Sequence, residues 1–410
     1  MWGYPFLMYL IGTAGLFVLQ MALAIFSFSF AYVLFIERVT NSWSARVIVL
    51  VMSVPWFAYM SVKWPAAIAV PLAWIAIGLL ALAIRRHLDV RLLCVAGALI
   101  GLAANFRSEM LILGIFLIVT VPIWHLGSTR SIRGLMKAQY WGLLTFPVLL
   151  IALLIPWAGF QYIKTGHFLL TSSNSGAVSV ITLGQLPGNP WGIDHNDSEQ
   201  SRIMHSLGFD SLDPLSATGN AILQDYFLDA IADHPLAFGK KVVSNTKNAL
   251  MGGLYIGDWE LPLDSEDKIY IEITKEKIKL ALGLNPNTQE IQGYVLDGTW
   301  DLPFRISFDQ VLFGVVLASL MFSNAMLLLS IAGGLLSAVK RQAEVEIKIV
   351  VIVLLFVLAM AALLQYQPRH INVALPAILA LALPLIPRSI RVPKFSKGKV
   401  PAKLKENPLS

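Results

Sequence analysis

The sequence is poor in charged residues, in cysteine and in the motifs of nucleotide chemistry. Charged side chains make up 14% of the chain, against roughly 25% in soluble globular domains, which excludes an ordinary soluble fold. The only cysteine, Cys94, lies within an apolar segment, which excludes a disulfide framework. No G-x-x-x-x-G-K-[ST], G-x-G-x-x-G or nucleophile-elbow pattern occurs. Nucleotide-driven transport and serine hydrolysis therefore gain no support.

What the chain has instead is long apolar runs. Hydrophobic residues make up 56% of it, and its mean hydropathy is +0.68. A helix needs some 20 apolar residues to cross about 30 Å of hydrocarbon, with tolerance for tilt. Nine segments approach this length, of which the fourth and ninth are short: 14–35, 46–62, 66–84, 91–106, 110–126, 141–159, 310–338, 347–365 and 371–387. These runs predict a polytopic membrane protein.

Basic residues are distributed unevenly between alternate loops, and short cytoplasmic loops are the ones that retain cationic side chains. One set of loops, with the C-terminal tail, holds eighteen: Arg38, Arg46, Arg85, Arg86, Arg91, Arg130, Arg133, Lys137, Lys340, Arg341, Lys348, Arg388, Arg391, Lys394, Lys397, Lys399, Lys403 and Lys405. The opposite short loops hold three: Lys63, Arg107 and Arg369. This asymmetry predicts a multi-pass protein of the cytoplasmic membrane with its C-terminus in the cytoplasm and its large polar segment outside.

The net charge of +6 does not indicate nucleic acid as a partner, because the large polar segment is itself acidic. It carries 18 Asp and Glu against 10 Lys and Arg. The basic tail at 388–410 is typical of an unstructured strip that lies on anionic membrane lipids. We therefore expect anionic membrane lipids as partners and no nucleic acid.

The polar segment at 160–306 contains helical and strand-like patterns. A helical period ends at Asp233, and a second helix is predicted with Pro235 in its first turn. Residues 268–282 begin with strand-like alternation and end with helix-favouring charge. The predicted fold class is an all-α polytopic membrane protein with a small, mainly helical, mixed extracytoplasmic domain inserted between two helix blocks.

The predicted organisation has four parts. Residues 1–159 form a first block of about six spans, 160–306 the extracytoplasmic domain, 307–387 a second block of about three spans, and 388–410 the basic cytoplasmic tail. Nine spans with a cytoplasmic C-terminus place Met1 outside, yet the opening residues have no signal-peptide pattern. We therefore expect one further span and its outer loop upstream.

Arg107 and Glu109 stand where the fourth span should emerge on the outer side. Ionisable groups at such a depth are costly unless they are paired or face a polar cavity, so the pair is a candidate site. The alternative is an arginine that extends towards the membrane surface with Glu109 as its local partner. The sequence favours neither of these two interpretations over the other.

A polar loop follows the sixth span at 156–176. Lys164, Ser173 and Asn174 there supply a cation and small polar groups that suit a phosphate or sugar hydroxyls. An ordinary polar exit loop explains the same residues, and physical reasoning alone favours that explanation.

Arg369 and His370 stand between the last two spans in an otherwise apolar hairpin. A guanidinium offers a planar fork for phosphate oxygens, and arginine is scarce on this side of the chain. The alternative is an interfacial headgroup contact, and the scarcity favours a binding role.

The segment DHNDSE at 194–199 could ligate a divalent cation through oxygen and imidazole groups. Its spacing matches no ligand signature, so a solvated loop is the favoured interpretation. We therefore predict no cofactor and no resident metal.

Taken together, several segments resemble the bacterial branch of the GT-C membrane glycosyltransferases, the class of the protein mannosyltransferases and the aminoarabinose transferases. The resemblance covers most of the chain and is carried by short motifs in a fixed order: WGYP at 2–5, Arg107-Ser108-Glu109, PW…Y…G.F…S.N.G at 156–176, DAIADHPLAF at 229–238 and PRH…P at 368–376.

The resemblance implies an enzyme that moves a hexose or pentose from a polyprenyl-phosphate donor to a hydroxyl on a glycan, lipid or protein acceptor. Arg369, Lys63 and Arg107 would hold the donor phosphate, and Ser173 and Asn174 would line the binding site. Such chemistry needs cations on the leaving phosphate and a carboxylate as general base.

The family's essential acid belongs to a first outer loop, and residues 1–36 contain no Asp or Glu. Either the natural start lies upstream or transfer activity has been lost. Glu109 is the remaining catalytic candidate within the chain.

Two other functions remain open. A noncatalytic protein that binds or transports lipid-linked sugars would explain the missing acid. An O-antigen ligase or polymerase also carries a large outer loop among apolar helices, although the early PW loop and the PRH hairpin argue against it.

Overall fold

The computed structural model describes the following residues: 3–37, 43–61, 64–86, 88–129, 138–170, 175–251, 258–260, 270–272, 325–336, 345–364 and 371–385. The first helix block contains α1 (Gly3–Ala31, continued by the π-helical turn Tyr32–Ile36), α2 (Trp43–Ser61), α3 (Ala66–Arg85), α4 (Val90–Phe106), α5 (Glu109–Thr129), α6 (Ala138–Ala152) and α7 (Ile155–Thr165). The polar segment contains α8 (Ser175–Thr182), α9 (Ser198–Ser206), α10 (Ala217–Asp233), α11 (Pro235–Met251), β1 (Asp258–Glu260) and β2 (Tyr270–Glu272). The second block contains α12 (Ala325–Leu336), α13 (Val345–Leu363) and α14 (Leu375–Ala382, with a final 3₁₀ turn, Leu383–Leu385).

The described residues form a mainly helical membrane protein. Five helical stretches are long and apolar enough to cross a membrane: Gly3–Ile36, Trp43–Ser61, Ala66–Arg85, Gly142–Thr165 and Glu346–Leu363. Four shorter apolar helices accompany them: Val90–Phe106, Glu109–Thr120, Ala325–Leu336 and Leu375–Leu385. Each of the nine predicted apolar segments overlaps one of these helices, so the prediction of an all-α membrane protein is confirmed.

Helix α1 extends further towards the N-terminus than the predicted span. Gly12 interrupts it with a left-handed φ of 69°, a conformation that glycine adopts at little cost. The predicted span begins at residue 14, directly after this break. The turns before the break return to the bundle, where a Cβ on Gly3 would lie 3.0 Å from the ring of Phe106 at the end of α4.

Two glycines one helical turn apart bring α4 against α6. A Cβ on Gly97 would lie 2.2 Å from the backbone oxygen of Phe146, and one on Gly101 would lie 2.6 Å from that of Leu150. Small residues spaced in this way let two apolar helices approach until their backbones touch. Helix α4, predicted as the shortest span, is therefore closely packed within the bundle.

Helices α3 and α13 pair in opposite directions. Arg85 at the end of α3 forms an ion pair of 3.2 Å with Glu346 at the start of α13. Trp74 in the middle of α3 donates a hydrogen bond to the backbone oxygen of Val373, at 2.8 Å. The start of α3 and the end of α13 therefore lie at the same end of the bundle, opposite the Arg85–Glu346 pair.

The polar segment has a hydrophobic core of its own, separate from that of the membrane helices. Its buried members come from α8, α9, α10 and the turns between them: Ala177, Val180, Leu183, Ile193, Ile203, Met204, Leu223, Phe227 and Ala230. The side chain of Asn220 accepts a hydrogen bond of 2.6 Å from the backbone N–H of Gly176 near the start of α8. Trp191 donates one of 2.7 Å to the backbone oxygen of Ala230.

Two local predictions within the polar segment are confirmed. Helix α10 ends at Asp233, and α11 begins at Pro235, where the missing N–H costs little. The strand-like start of residues 268–282 forms β2, which pairs antiparallel with β1. The helical part predicted after it lies outside the described residues.

Candidate functional site

Arg107 and Glu109 form an ion pair at the turn between α4 and α5. The backbone of Arg107 leaves the helix in an extended conformation while its N–H still donates to the oxygen of Ala103. Its guanidinium donates hydrogen bonds to both carboxylate oxygens of Glu109, with Nη2–Oε1 at 2.5 Å and Nε–Oε2 at 3.2 Å. Glu109 lies in the first turn of α5, where a negative charge is favoured by the helix dipole.

A third contact ties this pair to another helix. Nη1 of Arg107 lies 3.5 Å from the hydroxyl of Tyr59 near the end of α2. The ring of Tyr59 packs edge-on against Trp64, with centroids 4.8 Å apart, and the amide of Gln20 in α1 donates to the backbone oxygen of Trp64. We call Gln20, Tyr59, Trp64, Arg107 and Glu109 the Arg107 cluster, and the end of the bundle that holds it the Arg107 end.

The Arg107 cluster is polar, half-enclosed and chemically suited to anions. The Arg107 side chain is 18% exposed and that of Glu109 is 32% exposed, so both remain within reach of a ligand. A guanidinium fixed by Glu109 and Tyr59 presents its remaining N–H groups in a fixed direction, which suits two oxygens of a phosphate. Both oxygens of Glu109 already accept from Arg107, so the geometry suits Glu109 for orienting the guanidinium better than for removing a proton from a substrate.

A second polar cluster joins the polar segment to the membrane helices. The fully buried ammonium of Lys241, in α11, donates to the backbone oxygens of Leu363 and Leu364 at 3.1 and 2.7 Å. Asn245, one turn later, donates to Gln185 and to the backbone oxygen of Ala362. Positive charge is favourable at the unpaired carbonyls that end a helix. This junction, which we call the Lys241 junction, caps α13 at the Arg107 end.

Burial sets the proton affinities at the Lys241 junction. It lowers the pKa of Lys241 to about 8, because a low-dielectric surrounding disfavours the charged form. Burial also lowers the pKa of His195, although the negative charge of Asp197 raises it and the positive charge of Lys241 lowers it further. The ammonium of Lys241 in α11 therefore repels the protonated form of His195, which precedes α9.

The structure places only part of the predicted site. The prediction of a polar loop at 156–176 is wrong for its first part, because the chain is helical as far as Thr165; Lys164 is exposed in the last turn of this helix, α7, which Gly166 ends with a left-handed backbone. Arg107 and Glu109 come together as described above. The other predicted binding residues lie outside the described residues: Lys63, Ser173, Asn174, Arg369 and His370.

The described residues that flank the predicted PRH hairpin are both anchored at the Arg107 end. On one side, the oxygen of Leu364 accepts from Lys241. On the other, the buried amide of Asn372 donates to the backbone oxygen of Pro55 in α2, at 3.4 Å. Pro55 lies one helical turn before Tyr59, a member of the Arg107 cluster.

The acidic segment at 194–199 builds no metal site in the part of the chain that the structure describes. No group of three or more His, Cys, Asp or Glu side chains there could hold a metal ion. Glu199 instead pairs with Arg202 one turn along α9, and this hydrogen bonding lowers the pKa of Glu199. The guanidinium also donates to the backbone oxygen of Gly192, which closes the loop.

Sequence reasoning missed Tyr59, Gln20, Lys241 and Asn245. Only α11 carried a usable signal, because Lys241, Asn245 and Ala249 are spaced four residues apart and therefore share one helix face. Tyr59 and Gln20 carried no signal, because their contacts join helices that are distant in the sequence.

The chain was compared with family models, curated proteins and solved structures, and no match was found.

Proposed function

We propose that this protein is a GT-C-type glycosyltransferase, which moves a sugar from a polyprenyl-phosphate donor to a hydroxyl acceptor at the outer face of the cytoplasmic membrane. The observation that carries the proposal is the Arg107 cluster, a guanidinium oriented by Glu109 and Tyr59 at one end of an apolar bundle. The junction with the polar segment lies at the same end, through Lys241. A lipid-borne phosphate and a polar acceptor would meet there.

The chemistry assigns separate tasks to cation and carboxylate. When the bond from the sugar carbon to the phosphate oxygen breaks, the electron pair stays on the leaving polyprenyl phosphate, and a fixed guanidinium stabilises that charge. The acceptor oxygen forms the new bond and gives its proton to a general base. Arg107 binds the leaving phosphate, and Glu109 positions Arg107. From the sequence, we expect Arg369 and Lys63 to bind the same phosphate.

A noncatalytic binding protein for lipid-linked sugars is the second candidate. It is favoured by the engagement of both Glu109 oxygens with Arg107. A binding protein needs the phosphate contact but no base. The two candidates therefore predict the same donor binding and differ in product formation.

Transfer and binding can be measured in the same membranes, supplied with radiolabelled polyprenyl-phosphate hexoses and pentoses. We expect Arg107→Ala to reduce sugar incorporation by about 10²–10³-fold, the loss typical of a charge-stabilising group, with expression unchanged. Arg107→Lys should recover only part of the activity, because an ammonium lacks the planar fork. Arg369→Ala should abolish incorporation.

Arg85→Lys is the matched control, because Arg85 forms a comparable ion pair with Glu346 at the opposite end of the bundle. It should retain wild-type incorporation. Wild-type incorporation by Arg107→Ala would remove Arg107 from the site. If the wild type binds the donor but transfers no sugar, the protein is a binding protein for lipid-linked sugars and not an enzyme.

A further inference from the structure

Helix α11 has two faces of different character. Lys241, Asn245 and Ala249 are buried on one face. The opposite face carries Leu236, Lys240, Val243 and Lys247, spaced by four, three and four residues, and all four are exposed. Leu236 is 82% exposed and Val243 is 70% exposed. We call these four residues the outer stripe of α11.

The composition of the outer stripe is unusual for a surface in water. It alternates large apolar side chains with lysines, and α11 contains no Asp or Glu in its 17 residues. The polar segment as a whole is acidic, with 18 acids against 10 basic residues. A helix with apolar and basic residues together on one exposed face is typical of a membrane interface, where long lysine side chains reach anionic headgroups.

The position of α11 agrees with this composition. Ala249 and Leu250 near its end pack into the hydrophobic cluster of the membrane helices. Lys241 caps the last carbonyls of α13, whose final residue, Leu363, is 49% exposed. Helix α11 therefore lies at the level where α13 leaves the apolar layer of the bundle.

We propose that α11 is an interfacial helix, whose outer stripe docks on the anionic phospholipid headgroups of the outer leaflet. Leu236 and Val243 enter the boundary between headgroups and acyl chains, while Lys240 and Lys247 contact lipid phosphates. The Lys241 junction then holds the polar segment at a fixed height above the bundle. This surface is separate from the Arg107 cluster and does not depend on the proposed transfer reaction.

Depth can be measured with nitroxide spin labels on the full chain in lipid nanodiscs. A label is attached at Val243→Cys or, as the matched control, at Leu228→Cys in a Cys94→Ala background. Leu228 is an exposed apolar residue of α10 in the same polar segment. We expect the label at 243 to collide more with oxygen and less with a water-soluble nickel chelate than the label at 228.

Two outcomes of the depth measurement would overturn the proposal. Nickel collisions at 243 equal to those at 228 would place the outer stripe in water. Low collision rates with both reagents at 243 would show that protein covers the stripe, with residues 252–324 of this chain as the occupant to test next.

The headgroup contact has its own test. Adding phosphatidylglycerol to phosphatidylcholine nanodiscs should raise the thermal unfolding midpoint of the wild type, and Lys240→Gln/Lys247→Gln should lose roughly half or more of that gain. Lys240→Arg/Lys247→Arg keeps both charges and should retain it. Inorganic phosphate in phosphatidylcholine alone should not reproduce the gain. An undiminished gain in the double Gln variant, or an equal gain with inorganic phosphate, would refute the lipid contact.

Discussion

Two enclosed cations in this protein are neutralised in different ways. Arg107 has a carboxylate partner two residues away and keeps its charge next to a negative one. Lys241 is bonded to two backbone carbonyls at the end of α13 and lies 5.2 Å from the centroid of the Phe238 ring, so within the described residues its charge is compensated by dipoles and an aromatic face. Dipoles compensate a full charge less completely than a carboxylate does, which is why burial lowers the pKa of Lys241 to about 8.

This lowered pKa makes the stability of the protein depend on pH in a specific window. The folded-state pKa of Lys241 is about 8 against an ordinary value of 10.5. Between these values the unfolded chain binds the proton that the folded chain has released, so the free energy of unfolding rises with pH. The cost of burying the charge, up to about 3 kcal/mol, is fully present below pH 8 and is relieved by pH 10.5.

Lys241→Met removes the titrating group while keeping a long side chain. We expect the variant to lack the wild-type gain in thermal unfolding midpoint between pH 8 and 10.5 in detergent. Lys240→Met, on the exposed neighbouring residue, should keep that gain and so corrects for other groups that titrate in the same window. Parallel pH profiles for wild type and Lys241→Met would contradict this account.

At the scale of the helices, close backbone approach decides where the Arg107 cluster stands. Gly97 and Gly101 let α4 rest directly on α6. Near the end of α4 the amide of Asn105 donates to the backbone oxygen of Leu153, at 3.2 Å. Arg107 follows two residues later, so the packing of α4 on α6 determines the direction in which the guanidinium leaves the helix.

Gly97→Ala should therefore destabilise the bundle. The added Cβ would lie 2.2 Å from the backbone oxygen of Phe146, so the two helices must separate, at a cost of about 1–3 kcal/mol. Gly159→Ala in α7 is the matched control, because a Cβ there has nothing within 4 Å. Thermal unfolding in detergent compares them, and equal midpoints for the two variants would contradict close α4–α6 packing.

At the scale of the whole molecule, two hydrophobic cores are joined at one end of the helix bundle. One core lies among the membrane helices and the other within the polar segment. The Lys241 junction connects them at the Arg107 end, and the Arg85–Glu346 pair marks the opposite end. The orientation that the basic residues predict places the Arg107 end outside the cell membrane.

Reporter fusions test that orientation directly. We expect a fusion at residue 230, in α10, to report the outer side and a fusion at residue 345, at the start of α13, to report the cytoplasm. The physical reason is that eighteen basic residues stand in one set of loops and the tail, against three in the opposite short loops. The reverse assignment would overturn both the orientation and the proposed site of transfer.

Much of the helical framework could be predicted from the sequence, because hydrophobic run length is a local property. The predicted span at 66–84 corresponds to Ala66–Arg85, and the one at 91–106 to Val90–Phe106. The helical turns before Gly12 were not predicted, since the predicted span begins at residue 14. The Arg107–Glu109 contact was foreseen as a local pairing, since only two residues separate the partners.

The sequence by itself determined that this is a membrane protein of two apolar blocks around an acidic insert, because composition and periodicity carry that information. Only the tertiary structure decided that Tyr59 meets Arg107 and that Lys241 meets the end of α13. Those partners stand 48 and more than 120 residues apart. Contacts over such distances depend on how the helices pack, and hydropathy is the same for every packing that buries the same apolar faces.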